Sequence, residues 1–170
     1  KQTPNAGEEV FVNITPDQGY EAKKCYYIIE GNLEEFEFTD SFVMPAENIE
    51  IFVVYDLVSY NITYVLNGGT LPETYASTYT ILDVQINLPT PTKVGHNFAG
   101  WFDNDKFEGV AISFFAGSQA GGKTFYALYT LQQYAVKFLN YDGSEIAVSN
   151  FKYGETAVYT GQTPTKPSTA

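Results

Sequence analysis

Tyr60-Asn-Ile62-Thr-Tyr64-Val-Leu66-Asn67-Gly68-Gly69 alternates apolar and polar side chains and ends on an Asn-Gly turn signal. That pattern predicts a strand closing into a tight turn. It returns 74 residues later as Tyr134-Ala-Val136-Lys-Phe138-Leu-Asn140-Tyr-Asp142-Gly143. Thr90-Pro91-Thr92-Lys93 recurs as Thr163-Pro164-Thr165-Lys166, at a spacing of 73. Two matches in order at nearly one spacing are an internal repeat. The second copy reaches Ala170 without a counterpart of Phe98–Trp101 or Phe125–Tyr129, so it reads as the first half of a repeat.

The flanking sequence predicts β-structure as well. Val10, Val12 and Ile14 share one face of an alternating stretch, and Thr15-Pro16-Asp17-Gln18-Gly19 reads as a turn. Cys25–Ile29 is an apolar run closed by Gly31-Asn32; Phe36 and Phe38 alternate with acids, and Ile49, Ile51, Val53 and Tyr55 alternate again. Between the two copies, 81–86 is ambiguous between a strand and a short helix. Pro89 and Pro91 then impose an extended path, because each proline biases its predecessor away from helix. His96–Phe102 reads as a strand, with Gly100 marking a close backbone approach, and Phe125–Tyr129 as another. No window of ten or more residues carries a helical repeat.

Composition excludes most chemistry. The chain has 170 residues, 44% of them hydrophobic, which is too apolar and aromatic for disorder. No apolar run approaches the roughly 18 residues of a membrane span, so neither membrane insertion nor a cleavable signal is expected in this segment. All nine basic residues are lysine, which argues against nucleic acid as a partner. With one cysteine and one histidine, no catalytic, cofactor or metal residues are assigned. The net charge of −11 is uneven: residues 1–58 carry −9, 59–132 carry −2 and 133–170 are neutral. Such shifts mark module boundaries.

The motifs Asn67-Gly68-Gly69, Leu88-Pro89-Thr90-Pro91-Thr92-Lys93, Gly95-x-x-Phe98-x-Gly100-Trp101 and Phe125-Tyr126-Ala127 fall in order, and the stretch resembles the Listeria–Bacteroides repeat, the internalin B-repeat family. His96 stands where an aromatic is usual, and Tyr129 where tryptophan is common. Residues 133–170 resemble the first half of a further repeat. Gly7-Glu-Glu-Val10, Thr15-Pro16-Asp17-x-Gly19-Tyr20 and Phe42-x-Met44-Pro45-Ala46 are similar to a divergent B-repeat. The resemblance implies tandem modules: an all-β module at 1–58, a β-grasp-like α+β module at 59–132 and a half-repeat at 133–170. It also implies an extracellular, bacterial cell-surface setting.

Several short motifs are weighed against blander readings. Gly117-Ser-Gln-Ala-Gly-Gly122-Lys123-Thr124 satisfies the P-loop pattern, which needs a helix after it whose amides face phosphate; here a strand follows, so the match is read as coincidence. Leu71-Pro72-Glu73-Thr74 resembles a sortase anchor motif, but Tyr75 replaces the required glycine and a loop is expected. Asp103-Asn-Asp105 has Phe107 at the third calcium-ligand position and reads as a polar turn. Cys25 between Lys24 and Tyr26 reads as a small buried hydrophobe, not as a nucleophile paired with His96. The acids Glu30, Glu34, Glu35, Glu37 and Asp40 read as a solvated face. Asn13 and Asn61 head glycosylation-like triplets in predicted strands, and Phe98 and Trp101 read as core rather than as a sugar platform.

These readings converge on a non-enzymatic tandem-repeat segment of a bacterial surface protein, a spacer or adhesion module. Its expected partners are a host or cell-surface protein or glycan and the neighbouring modules, and the ligand-binding residues are unknown. The alternative is a carbohydrate-binding accessory segment of a larger extracellular enzyme, which a row of exposed aromatics on one face would favour.

Overall fold

Period-two alternation leaves each strand one apolar face, and such strands stabilise one another only by pairing. A computed structural model of the chain describes residues 3–161 and shows thirteen strands among them. The chain divides into two compact units. The first is built of the chain up to Ile62 with Ser77–Ile86 and Ala116–Lys123; the second comprises Thr63–Ala76, Asn87–Phe115 and the chain from Thr124 on.

In the first unit, β1 (Glu9–Phe11) pairs with β4 (Ser41–Val43), and β2 (Tyr20–Ile29) is the centre of an antiparallel sheet between β3 (Phe36–Phe38) and β5 (Ile49–Leu57). Cys25 lies opposite Phe38 and Val53 and is buried, as is Phe42. Tyr27 packs its ring on Phe36 and Phe42, at 5.1 and 4.8 Å between centroids. The alternation of Val10, Val12 and Ile14 outruns the strand it predicts. β1 stops at Phe11, because its partner β4 is only three residues long. Val12 makes one further bond, N–H to Asp40 O at 2.9 Å, and Asn13 stands exposed outside any strand.

The repeat region supplies β6 (Tyr60–Val65), β7 (Thr78–Tyr79), β8 (Ile86–Asn87), β9 (His96–Phe102), β10 (Phe114–Phe115) and β11 (Lys123–Leu131). β8 pairs with β10, and a four-stranded sheet has the order β7-β6-β11-β9. Among the described residues there is no helix. The α component expected of the middle module therefore has no counterpart, and the ambiguous stretch 81–86 forms a turn leading into β8. Asp83 explains this locally: its carboxylate accepts Thr80 N–H at 2.7 Å, its own N–H donates to Thr80 O, and its carbonyl accepts Gly117 N–H. Side chains that bond nearby backbone in this way compete with helix.

In the second unit the core gathers on Trp101, 1% exposed, with Phe102, Phe125 and Ala127 also buried. Ala127 lies directly opposite Trp101 in the β9–β11 pairing, where a larger side chain has no room. Gly100 makes the close approach expected of it, since a Cβ there would fall 2.5 Å from that of Ala111.

The chain ends its described part with the hairpin β12 (Gln133–Leu139) and β13 (Glu145–Lys152). The counterpart of Thr90–Lys93 at Thr163–Lys166 lies outside the described residues. The hairpin is joined to the rest of its unit through Gln132, whose N–H donates to Gly95 O at 2.9 Å and whose carbonyl accepts Tyr153 N–H at 2.8 Å. Gly95 has φ +70, and a Cβ built on it would fall 2.1 Å from the Tyr153 ring. Gly95→Ala is accordingly expected to destabilise the unit by about 1–3 kcal/mol, through left-handed backbone strain and overpacking. Urea unfolding followed by circular dichroism measures this, and an unchanged midpoint would refute the contact.

Candidate functional site

The motifs that carry the repeat pattern meet in space within the second unit. The Asn67-Gly68 turn and the Thr90–Lys93 segment run side by side, with Thr70 and Thr92 exchanging both backbone bonds at 2.8 and 2.9 Å. Lys93 Nζ donates to Asn67 O at 2.7 Å, and Asn67 Nδ2 donates to Ala127 O at 2.8 Å. Asn67 itself has φ 47, the left-handed conformation that asparagine tolerates. Beside this crossing runs an open groove of about 890 Å³ lined by Gly68, Thr70, Thr92, Lys93, His96 and Gln132. Sequence reading singled out these motifs but not their contacts. The signal that could have found them is that both the turn and Thr-Pro-Thr-Lys recur in the second copy, as residues that must stay together would.

Two groove side chains, Lys93 and His96, can carry a proton, and both are engaged with the protein. His96 donates from Nδ1 to Val94 O at 2.8 Å, and its ring faces those of Tyr129 and Tyr153, each 6.4 Å away. Lys93 lies 5.1 Å over the Tyr129 ring, with its ammonium already bonded to backbone. The Tyr129 hydroxyl is buried and has no hydrogen-bond partner among the described residues. Burial raises its pKa above the usual tyrosine value. What remains for a ligand is threonine hydroxyls, backbone and a side-chain amide, which suits weak polar recognition. Because a buried hydroxyl without a partner is a cost, Tyr129→Phe is expected to keep or raise the melting temperature. A loss of several degrees would show that the hydroxyl has a partner.

The other singled-out residues are dispersed. Cys25 is in the first unit and His96 in the second, with rings and a carbonyl around the imidazole. Asp103-Asn104-Asp105 is tied into a turn, where Asn104 bonds Asp103 Oδ1, Glu108 O and Glu108 N–H at 2.9–3.0 Å. Phe107 at the third ligand position packs edge-on against Phe102. Among the described residues no cluster of three or more His, Cys, Asp or Glu side chains could hold a metal. In the acidic run, Glu35 and Glu37 both accept from Lys24, at 2.5 and 2.8 Å, and these bonds hold the lysine well above its usual pKa. Two of the five acids in the run thus share one surface lysine. Leu71–Thr74 lies outside the strands, and Tyr75 meets Tyr64 edge-on at 5.7 Å.

The P-loop-like segment has its own structural explanation. Lys123 opens strand β11 instead of a helix. The loop before it turns the carbonyls of Gln119 and Gly121 inward, where both lie within hydrogen-bond distance of the Tyr79 hydroxyl and share its one hydrogen. A phosphate cradle must present amides there.

Tyr64 carries the largest hydroxyl shift. Burial, with Tyr75 adding to it, pushes its pKa up to about 12 from an ordinary 10. The fold keeps this group neutral, so the unfolded chain ionises first. Its stabilising contribution is whole below pH 10 and is lost as pH rises through 12. The melting temperature is expected to fall across that window, and to fall less for Tyr64→Phe. Equal profiles for the two chains would contradict this.

The comparisons with known proteins agree with the motif geometry. A family model, the Listeria-Bacteroides repeat domain, matches residues 60–128. A Gly-rich protein of Evansella cellulosilytica, named as a membrane protein, is 26% identical over 152 residues, covering 85% of this chain and 17% of that protein. Internalin H of Listeria monocytogenes is 36% identical over 90 residues, covering 51% of this chain and 15% of its own. The chain thus spans less than a fifth of the length of either relative. No solved structure matches. With the four motifs in order, and converging around one crossing, residues 60–128 are similar to the Listeria-Bacteroides repeat domain.

Proposed function

We propose that the chain is a non-enzymatic tandem-repeat segment of a bacterial cell-surface protein, a tether that adds weak recognition through exposed tyrosines. The observation that carries this is the internal repeat, in which the Tyr60–Gly69 pattern returns at Tyr134–Gly143. Tyr60 faces Tyr79 across β6–β7, and Tyr134, 74 residues on, faces Phe151 across β12–β13. A chain built by repeating one unit gains length, which is what a spacer needs. Likeness to internalin H and to a protein named as a membrane protein supports the surface setting, and the net charge of −11 suits a surface that avoids sticking. The β-grasp-like reading of the middle module belongs to this proposal. It rests on the sheet order, in which the first and last strands of the module are neighbours.

Recognition is placed on Tyr55, Tyr75, Tyr134, Tyr141 and Tyr153, each 44–62% exposed. A glycan array and a pull-down with host surface proteins test this. Weak binding that survives neutralising Glu34, Glu35 and Glu37 is expected, and strong binding that disappears on neutralising them would overturn it. The reading as a carbohydrate-binding accessory segment keeps one observation in its favour. Tyr26 and Phe52 stack at 5.2 Å with planes 12° apart, and Lys24 sits over Tyr26. Glycan binding lost in Phe52→Ala would decide for it.

A further inference from the structure

We propose that Asn67 is a covalent modification site gated by its own turn: when the Asn67-Gly68 turn opens, the Gly68 backbone nitrogen displaces ammonia from the Asn67 side chain, and the product closes the turn poorly. This goes beyond the tether reading and does not depend on it. Of the chain's asparagines, Asn67 alone is followed by glycine. At the others, a side chain on the next residue crowds attack by that residue's nitrogen. Asn67 and Gly68 are both exposed, so water reaches them.

The chemistry needs water and no other reactant. The Gly68 nitrogen, losing its proton, attacks the side-chain carbonyl carbon Cγ of Asn67. An N–Cγ bond forms, the Cγ–Nδ2 bond breaks, and Nδ2 leaves as ammonia carrying the proton. The product is a five-membered cyclic imide. Water then opens the imide at one carbonyl or the other, leaving at position 67 either aspartate or its β-linked isomer.

The folded turn holds the reacting atoms apart. Asn67 and Gly68 have φ 47 and 84, and Gly69 N–H donates to Leu66 O at 2.9 Å, which makes a type I′ turn. In that turn the Gly68 nitrogen lies roughly anti to the Asn67 Cβ across the Cα–C bond, whereas closing the ring needs the two nearly eclipsed. The required rotation is opposed at both ends. It would swing Asn67 O off Lys93 Nζ, a bond of 2.7 Å, and the side chain must leave Ala127 O, 2.8 Å from Nδ2. The bridge between Thr70 and Thr92 clamps the chain just beyond the turn. Modification therefore waits for local opening, whose frequency these contacts set. The product is not equivalent to the parent. A carboxylate only accepts hydrogen bonds, so the Ala127 carbonyl loses its donor and meets a negative oxygen instead. The β-linked isomer also adds a carbon to the main chain, inside a turn fitted to two residues. Each opening that reacts is thus recorded irreversibly.

The test incubates the whole chain in mildly alkaline buffer, with and without urea, and follows Asn67 by peptide mass mapping. Ammonia loss at Asn67 is expected to be at least about tenfold slower without urea. Lys93→Met removes one restraint and should speed the reaction without urea while leaving the rate in urea unchanged. Because that variant can misfold, the unaltered chain is also followed through urea concentrations below its unfolding midpoint. There the rate should rise in step with amide exchange at Gly69, whose N–H closes the turn. Asn67→Asp, made directly, should melt below the parent chain. Equal rates with and without urea overturn the proposal, as does a rate that ignores Gly69 exchange. A Lys93→Met chain that reacts more slowly without urea would mean that the lysine activates the site instead of restraining it, and an Asn67→Asp chain that melts with the parent would mean that nothing is recorded. Either result also overturns it.

Discussion

Trp101→Ala is expected to destabilise the second unit by about 3–5 kcal/mol, the cost of deleting a fully buried aromatic side chain. A small domain has only about 5–15 kcal/mol in all, so the variant should be largely unfolded at moderate temperature. The indole is 1% exposed and touches Tyr64 and Phe98 at 5.1 and 5.5 Å between ring centroids. Its Nε1–H donates to Pro89 O at 2.7 Å, which fixes the Leu88–Lys93 segment to β9. Trp101→Phe separates the two contributions. It keeps much of the packing but strands the Pro89 carbonyl, at about 1–3 kcal/mol. Far-ultraviolet circular dichroism under urea reads both, since removing the chain's single tryptophan removes its fluorescence. A Trp101→Ala chain with a wild-type midpoint would mean that the core lies elsewhere.

Gly117→Ala and Lys123→Ala are expected to behave in the opposite order from a nucleotide site. A Cβ on Gly117 would fall 2.2 Å from Thr80 O and 2.9 Å from Asp83 O. Both are backbone atoms that cannot swing aside, so the loop must move as a whole, at about 3 kcal/mol. Lys123 makes only a long bond to Gln119 Oε1, at 3.3 Å, and its removal should change stability by about 0.5 kcal/mol or less. In a phosphate-binding loop the lysine would be the residue that matters. Paired thermal melts and ATP calorimetry distinguish the cases. Micromolar ATP binding abolished by Lys123→Ala would overturn the structural reading, and so would a Gly117→Ala chain of unaltered stability.

Strand positions were legible wherever alternation and partner length agreed. His96–Phe102 forms one strand as read, and both tyrosine-led copies open on a strand, β6 and β12. The reading failed where a strand needs a partner long enough to continue it. Val12 and Ile14 alternate correctly but have only the three residues of β4 to pair with. It also failed where local bonds compete, as at Asp83, whose side chain and backbone make a turn of a stretch that could have been helix or strand. Periodicity records which face a residue prefers and does not record who pairs with it.

The groove was less legible than the fold. Asn67-Gly68-Gly69 and Thr90–Lys93 could be recognised as motifs, but nothing in a linear pattern says that Lys93 reaches the Asn67 carbonyl. Nor does it say that Tyr153 fills the space left by the missing side chain of Gly95. Those are contacts between residues 26 and 58 positions apart, and they exist only once sheet pairing has brought the segments together. By itself the sequence determined the β character, the repeat and its likeness to a known repeat family, because period-two alternation and fixed motif spacing are local properties of a chain. Tertiary structure alone decided which motifs meet, and that the P-loop-like segment turns the carbonyls of Gln119 and Gly121 toward the Tyr79 hydroxyl. Each of these depends on the partner a strand or loop finds, and that choice is made by packing rather than by local pattern.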